Sequence, residues 1–157
     1  MMNMKFKVSK IISTLFYIGF FTKMPGTLGS LVGLFFGTLI LIYFKYEIFV
    51  MFVLMITVIG FYSVHQYQKI AGKSDKSEII IDEFIGQLIP LMILDINLLN
   101  LLLSFTLFRF FDILKFYPAN VIDRKYSNYF GVIFDDIIAG IQASLVILLF
   151  YFLYDKL

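Results

Sequence analysis

The chain has 157 residues, enough for one domain, and 61% of them are hydrophobic, with a mean hydropathy of +0.91. This apolar content exceeds what a soluble core of that size needs, so the composition predicts a single membrane-embedded domain over residues 1–157. The net charge of +2, without a basic tract that carries stacking aromatic residues, excludes nucleic acid as a partner. The absence of cysteine excludes disulfides, thiolate nucleophiles and zinc–cysteine sites.

The N-terminal segment carries Lys5, Lys7 and Lys10 before an apolar stretch over residues 11–21. This pattern is similar to a secretory signal, but no pair of small residues that would mark a cleavage site follows it. The stretch is also too short to cross a bilayer. We therefore expect it to stay attached and to lie in the membrane interface.

The apolar runs that follow predict two helical hairpins. Residues 31–44 and 48–62 form the first pair, and a polar stretch over residues 65–77 separates it from the second pair, residues 79–94 and 98–111. Each run approaches the length that a membrane helix needs if flanking polar residues extend it into the headgroups.

A polar connector over residues 115–129 leads to a last apolar run, residues 137–154, which is long enough to span a bilayer. The sequence thus predicts an all-α integral membrane protein with about five membrane-embedded helices. Basic residues gather in the N-terminal segment, the loop over residues 69–76 and the connector. The three basic segments should share one face, and the positive-inside rule makes that face cytoplasmic.

Several charged side chains lie within apolar segments, where each costs roughly 2.5–3.5 kcal/mol. They are Asp82, Glu83, Arg109, Asp112, Asp135 and Asp136. If the second hairpin reverses near residue 96, the helical rise of ~1.5 Å per residue puts Glu83 at the depth of Arg109. Lys115 then follows Asp112 on the same helical face, and Asp135–Asp136 opens the last helix on the same side. The spacing predicts that these groups meet at one membrane face.

Two interpretations of this cluster compete. The charges could simply terminate helices, with Asp135–Asp136 as a helix cap. Acidic residues, however, have no topological role comparable with that of Lys and Arg, and carboxylates packed together repel unless a cation lies among them. An all-oxygen ligand set favours Mg²⁺, with Mn²⁺ as a substitute. The predicted metal ligands and catalytic residues are Asp82, Glu83, Asp112, Asp135 and Asp136.

The segment Pro25–Ser30 reads as a glycine-rich turn before the first long helix. With Thr27 or Ser30 as N-cap, its backbone N–H groups could receive an anion, so both residues are predicted phosphate-binding residues. An ordinary helix-initiating turn is the alternative.

Four motifs occur in a specific order and spacing. Pro25–Ser30, Ile81–Gly86, Arg109–Asp112 with Lys115 and Pro118, and Asp135–Gly140 together resemble the phosphatidylglycerophosphatase A family over roughly residues 15–145. The resemblance implies an all-helical, Mg²⁺-dependent enzyme of the bacterial inner membrane. Such an enzyme removes the terminal phosphate of phosphatidylglycerophosphate to give phosphatidylglycerol for phospholipid synthesis. The chain departs from the usual Lys-Pro-x-Pro at Phe116, which relaxes the turn after Lys115.

The residues offer what phosphomonoester hydrolysis requires. The carboxylates are predicted to hold one or two Mg²⁺ ions that polarise the phosphate and activate water, while Arg109 and Lys115 clamp the phosphate. The alternatives are a small ion-binding or lipid-binding membrane protein, and a phosphatidyltransferase that uses the same kind of acidic cluster. The transferase would be expected to show a longer Asp-Gly-x-x-Ala-Arg signature, which is missing.

Overall fold

A computed structural model describes residues 4–71, 77–126 and 128–154, and the regular structure of these residues is entirely helical. The α-helices are α1 (Met4–Ser13), α2 (Pro25–Tyr43), α3 (Tyr46–Ala71), α4 (Ile81–Leu91), α5 (Leu98–Leu114), α6 (Ala119–Lys125) and α7 (Tyr129–Tyr154). A short 3₁₀ turn, Ile18–Phe20, lies between α1 and α2. The predicted all-α class is confirmed for the described residues.

Helix α4 forms the centre of the bundle, packed between α2 and α7. Ile81, Ile85 and Leu88 are fully buried. Glycines let the helices approach closely, because a Cβ at Gly33 would lie only 2.7 Å from the carbonyl oxygen of Phe84 in α4. The two acidic residues in the first turn of α4 are therefore carried on a helix that other described helices enclose.

Within the described residues, three helices are long and apolar enough to cross a membrane, namely Pro25–Tyr43, Tyr46–Ala71 and Tyr129–Leu153. This is fewer than the five that the sequence predicted. The 11 residues of α4 extend only ~16 Å, about half the hydrocarbon core, and the 17 residues of α5 are also short. Helix α4 is apolar because it is buried inside protein, and composition alone cannot distinguish that burial from exposure to lipid.

The start of α2 differs from the predicted turn. The helix begins at Pro25, a residue favoured in the first turn because its missing N–H would have no partner there. Thr27 and Ser30 therefore lie inside the helix, and neither is the N-cap. The N-cap is Met24, which makes no side-chain capping hydrogen bond.

The start of α7 also differs. Asn128 Oδ1 accepts hydrogen bonds from the backbone N–H groups of Phe130 (3.0 Å) and Gly131 (3.3 Å), so the helix begins near residue 129. Asp135 and Asp136 consequently lie about two turns inside α7 and do not open it. The alternative in which they cap the helix is wrong.

The N-terminal helix α1 packs against α3, and its end fixes the approach to α4. Phe6 stacks on Tyr67 with 5.5 Å between ring centroids, and the Tyr67 hydroxyl donates a 2.9 Å hydrogen bond to Glu78. The backbone N–H of Ile80 donates to the carbonyl of Ser13 at 3.0 Å. Helix α3 continues to Ala71, so the predicted polar stretch begins as helix, and its residues 72–76 lie outside the described ranges.

Candidate active site

A cavity of about 200 Å³ lies where the ends of α2, α4 and α5 meet the inner face of α7, with α6 at its side. Its charged lining consists of Asp82, Glu83, Asp112, Lys115, Asp123, Asp135 and Asp136. A larger groove of about 670 Å³ between α1 and α3 is lined mainly by apolar side chains such as Val8 and Ile59, with no carboxylate among them. The polar chemistry is therefore concentrated in the smaller cavity.

Three of the carboxylates are close enough to share one ion. Asp82, Glu83 and Asp136 each offer an oxygen, and the three oxygens lie within 4.8 Å of one another. Ligand oxygens on opposite sides of a hard divalent cation are about 4–5 Å apart, so this spread fits such an ion. Asp136 is only 4% exposed, so water cannot screen its repulsion from the other two.

Hydrogen bonding within the cavity is incomplete. Glu83 Oε2 and Asp135 Oδ1 are buried, and neither accepts a hydrogen bond from the residues that the structure describes. Buried carboxylate oxygens normally find a donor or a cation. Since the donor set is purely carboxylate, the residues fit a hard divalent cation such as Mg²⁺ better than zinc.

Arg109 lies beside this cluster, where it supports Asp112. The two side chains form an ion pair three residues apart on α5, and Arg109 Nη1 also lies 3.4 Å from Ser30 Oγ. Ser30 in turn donates a 2.9 Å hydrogen bond to the carbonyl of Gly26. Arg109, Thr27 and Ser30 are not among the residues that line the cavity. The structure thus gives Arg109 a carboxylate partner beside the cluster, and its role as a phosphate clamp stays a prediction.

Lys115 is the cation among the described residues that line the cavity. It ends α5 with a positive φ of 45°, and its Nζ donates to Asp123 Oδ1 at 2.7 Å and to Asp135 Oδ2 at 2.5 Å. Burial alone lowers the pKa of Lys115, but the two carboxylates outweigh that effect and raise the pKa above its usual value. The side chain therefore carries its positive charge at neutral pH.

Asp123 is the lining carboxylate that sequence reasoning missed. It lies in the polar connector, eight residues after Lys115, and no single helix joins the two residues, because Lys115 ends α5 and Asp123 lies in α6. The chain leaves α5 at Lys115, turns at Pro118 and enters α6, and this path brings Asp123 back to the lysine. Its acidic character in a connector beside a predicted site was the only available signal.

Comparison with known proteins agrees with the geometry. The family model described as Phosphatidylglycerophosphatase A matches residues 11–151. A Haemophilus influenzae protein named Phosphatidylglycerophosphatase A is 36% identical over 82% of this chain and 80% of its own length. The Escherichia coli protein of the same name is 34% identical over 77% of this chain and 70% of its own.

A third relative carries a different name. A Bacteroides thetaiotaomicron protein, provisionally named a phosphatidylinositol-3-phosphatase, is 31% identical over 87% of this chain and 89% of its own length. No solved structure matches the chain.

The helical bundle and its acidic cavity thus belong to a phosphatase, that is, a phosphoric monoester hydrolase. More narrowly, the chain is a member of the phosphatidylglycerophosphatase A family.

Proposed function

We propose that this protein hydrolyses the terminal phosphate of phosphatidylglycerophosphate, giving phosphatidylglycerol and inorganic phosphate in bacterial phospholipid synthesis. The observation that carries the proposal is the gathering of the Asp82, Glu83 and Asp136 oxygens within 4.8 Å in a cavity that also contains Lys115. The names of the relatives from H. influenzae and E. coli support the lipid substrate.

The cofactor proposed for this cavity is Mg²⁺, held by Asp82, Glu83 and Asp136, with Asp112 and Asp135 close by. When bound, the ion would neutralise charge on the phosphate and increase the acidity of the attacking water. Without a cation, three closely spaced carboxylates and a phosphate would repel each other, so the charge balance of the residues supports this assignment.

The other residues in and around the cavity are proposed to offset the phosphate charge, transfer protons and position the ligands. The Lys115 ammonium donates to a phosphate oxygen and offsets its negative charge. A water attacks phosphorus and gives its proton to one of the lining carboxylates, while the bond from phosphorus to the glycerol oxygen breaks and that oxygen takes up a proton. Arg109 holds Asp112 in place, and Ser30 supports Arg109.

The proposed setting is the bacterial inner membrane, with the cavity on the cytoplasmic side. Large apolar side chains on the long helices face outward, among them Phe35, Met51, Leu54 and Val58, as expected of lipid-facing surfaces. The cavity lies at the α2 start, opposite the exposed Lys45 turn. A lipid phosphate could therefore enter at headgroup depth while its acyl chains remain in the bilayer.

The test is phosphate release by the purified protein, with and without Mg²⁺. The substrates are phosphatidylglycerophosphate, phosphatidic acid, phosphatidylinositol 3-phosphate and glycerol phosphate. We expect the first to be the best substrate, and Asp82→Asn, Asp112→Asn and Asp136→Asn each to reduce turnover by about 100-fold or more without loss of membrane insertion. Retained turnover in all three variants would contradict the metal site, and preference for the inositol lipid would contradict the substrate.

A further inference from the structure

Asp123 contacts the cavity differently from the other carboxylates. Its side chain is 42% exposed, whereas that of Asp135 is 4% exposed, so Asp123 lies at the rim. It does not belong to the group of three oxygens that fits one cation. Its contact is with Lys115, whose Nζ donates to Asp123 Oδ1 at 2.7 Å.

Lys115 is held between acceptors on two different helices. An ammonium group has three N–H donors, and two of them meet Asp123 on α6 and Asp135 on α7. A lysine side chain is flexible, so one contact leaves its head free to swing, whereas two contacts on separate elements restrict it. The remaining donor is available to an anion in the cavity.

Helix α6 packs against α7, and this packing fixes the backbone position of Asp123. Ala119 at the start of α6 is 1% exposed, and the two helices pack together. Just before α6, the carbonyl of Tyr117 accepts a 2.8 Å hydrogen bond from Gln142 Nε2 of α7. The distance between Asp123 and Asp135 is therefore set by packing and does not depend on a loose loop.

We propose that Asp123 is a positioning residue that, together with Asp135, directs the Lys115 ammonium at the substrate phosphate. This inference rests on the proposed function, since it requires a phosphate in the cavity. Asp123 does not bind the phosphate, because two anions repel, and its effect passes through the lysine. Its loss should weaken phosphate binding more than it slows the chemical step.

The first experiment compares Asp123→Ala and Asp123→Asn with Asp95→Ala, which removes the same charge from an exposed turn away from the cavity. The readouts are kcat and KM for phosphatidylglycerophosphate and, without turnover, the Kd of inorganic phosphate from a ³¹P NMR titration. For Asp123→Ala we expect KM and Kd to rise about tenfold, with kcat within about threefold. Asp123→Asn keeps an acceptor oxygen, so its KM and Kd should lie between those of Asp123→Ala and the wild type. Asp95→Ala should have the KM and Kd of the wild type.

The second experiment separates positioning from general structural support. In a Lys115→Ala background, Asp123→Ala should change KM and the phosphate Kd by less than about twofold, because the residue through which it acts is already gone. The inference would be overturned if Asp123→Ala changed KM and Kd as much in the Lys115→Ala background as in the wild type. It would also be overturned if Asp123→Ala and Asp95→Ala had equal KM and Kd values in the first experiment. Neither outcome would contradict the proposed function. If Asp123→Ala does not fold, the same cycle is run with Asp123→Asn.

A different result would contradict the proposed function itself. In that case the wild-type protein releases no phosphate from phosphatidylglycerophosphate, and the inference falls with it.

Discussion

Gly86 of α4 faces the backbone of Asp136 so closely that a Cβ at position 86 would lie 2.8 Å from the Asp136 carbonyl oxygen. Asp136 shares the acidic cluster with Asp82, four residues before Gly86 on α4. The separation of two cluster carboxylates is therefore controlled by a contact that only glycine permits.

The first prediction concerns this contact. Gly86→Ala should push α4 from α7, because the new methyl group meets backbone and the ring of Phe108. We expect a loss of about 1–3 kcal/mol in the free energy of unfolding and a fall in kcat of more than about tenfold. Thermal unfolding and phosphate release in the same detergent measure both effects.

The matched control for that variant is Gly60→Ala. There the Cβ would meet the Cδ1 methyl of Ile85 at 2.7 Å, and the end of a flexible side chain can move aside. A lower melting temperature with nearly wild-type kcat is expected. Equal losses of kcat in the two variants would mean that spacing at Gly86 has no particular link to the site.

The second prediction is that Mg²⁺ reverses the order of stability of the wild type and Asp136→Asn. Without metal, Asp136→Asn should be more stable than the wild type, because it removes a buried charge that repels Asp82 and Glu83. With Mg²⁺ at a hundred times its Kd, the wild type should gain about 2.7 kcal/mol and the variant much less.

Tm measured in a chelator and at saturating Mg²⁺ checks this prediction, with Mn²⁺ expected to replace Mg²⁺. A wild-type Tm that does not change with either ion would argue against a divalent cation in the cavity.

The third prediction concerns Arg109. Arg109→Lys keeps the charge but loses the planar fork that pairs with Asp112 and approaches Ser30. Because the arginine acts on a carboxylate and does not line the cavity, kcat should fall about tenfold while KM changes little. Arg124→Lys, on the exposed face of α6, is the control. A large rise in KM with unchanged kcat would instead support direct phosphate binding by Arg109.

The fourth prediction concerns membrane orientation, which the chain makes simple to test because it contains no cysteine. In intact cells, Lys45→Cys in the turn between α2 and α3 should react with a membrane-impermeant maleimide from outside. Arg124→Cys in α6 should react only after the membrane is opened, since we place the cavity on the cytoplasmic side. The reverse labelling pattern would contradict the proposed orientation.

The sequence by itself determined the helical class and most of the charged residues that line the cavity, Asp123 being the exception. Long apolar runs predict helices because hydrophobic pattern is a local property, and buried charges in such runs are costly enough to indicate function. The positions of Asp82, Glu83 and Asp112 in the acidic cavity could be anticipated from helical rise, a chain reversal near residue 96 and helical spacing.

Tertiary structure alone decided how these residues are used. Whether an apolar helix faces lipid or protein depends on its neighbours, so only packing revealed that α4 is a short central helix. The start of a helix depends on single capping contacts. The hydrogen bond from the Phe130 N–H to Asn128 makes α7 begin near residue 129, so Asp136 lies in the interior of the helix. The pairing of Lys115 with Asp123 depends on the path of an irregular connector. Such a path follows from many weak long-range contacts and leaves no periodic pattern in the sequence.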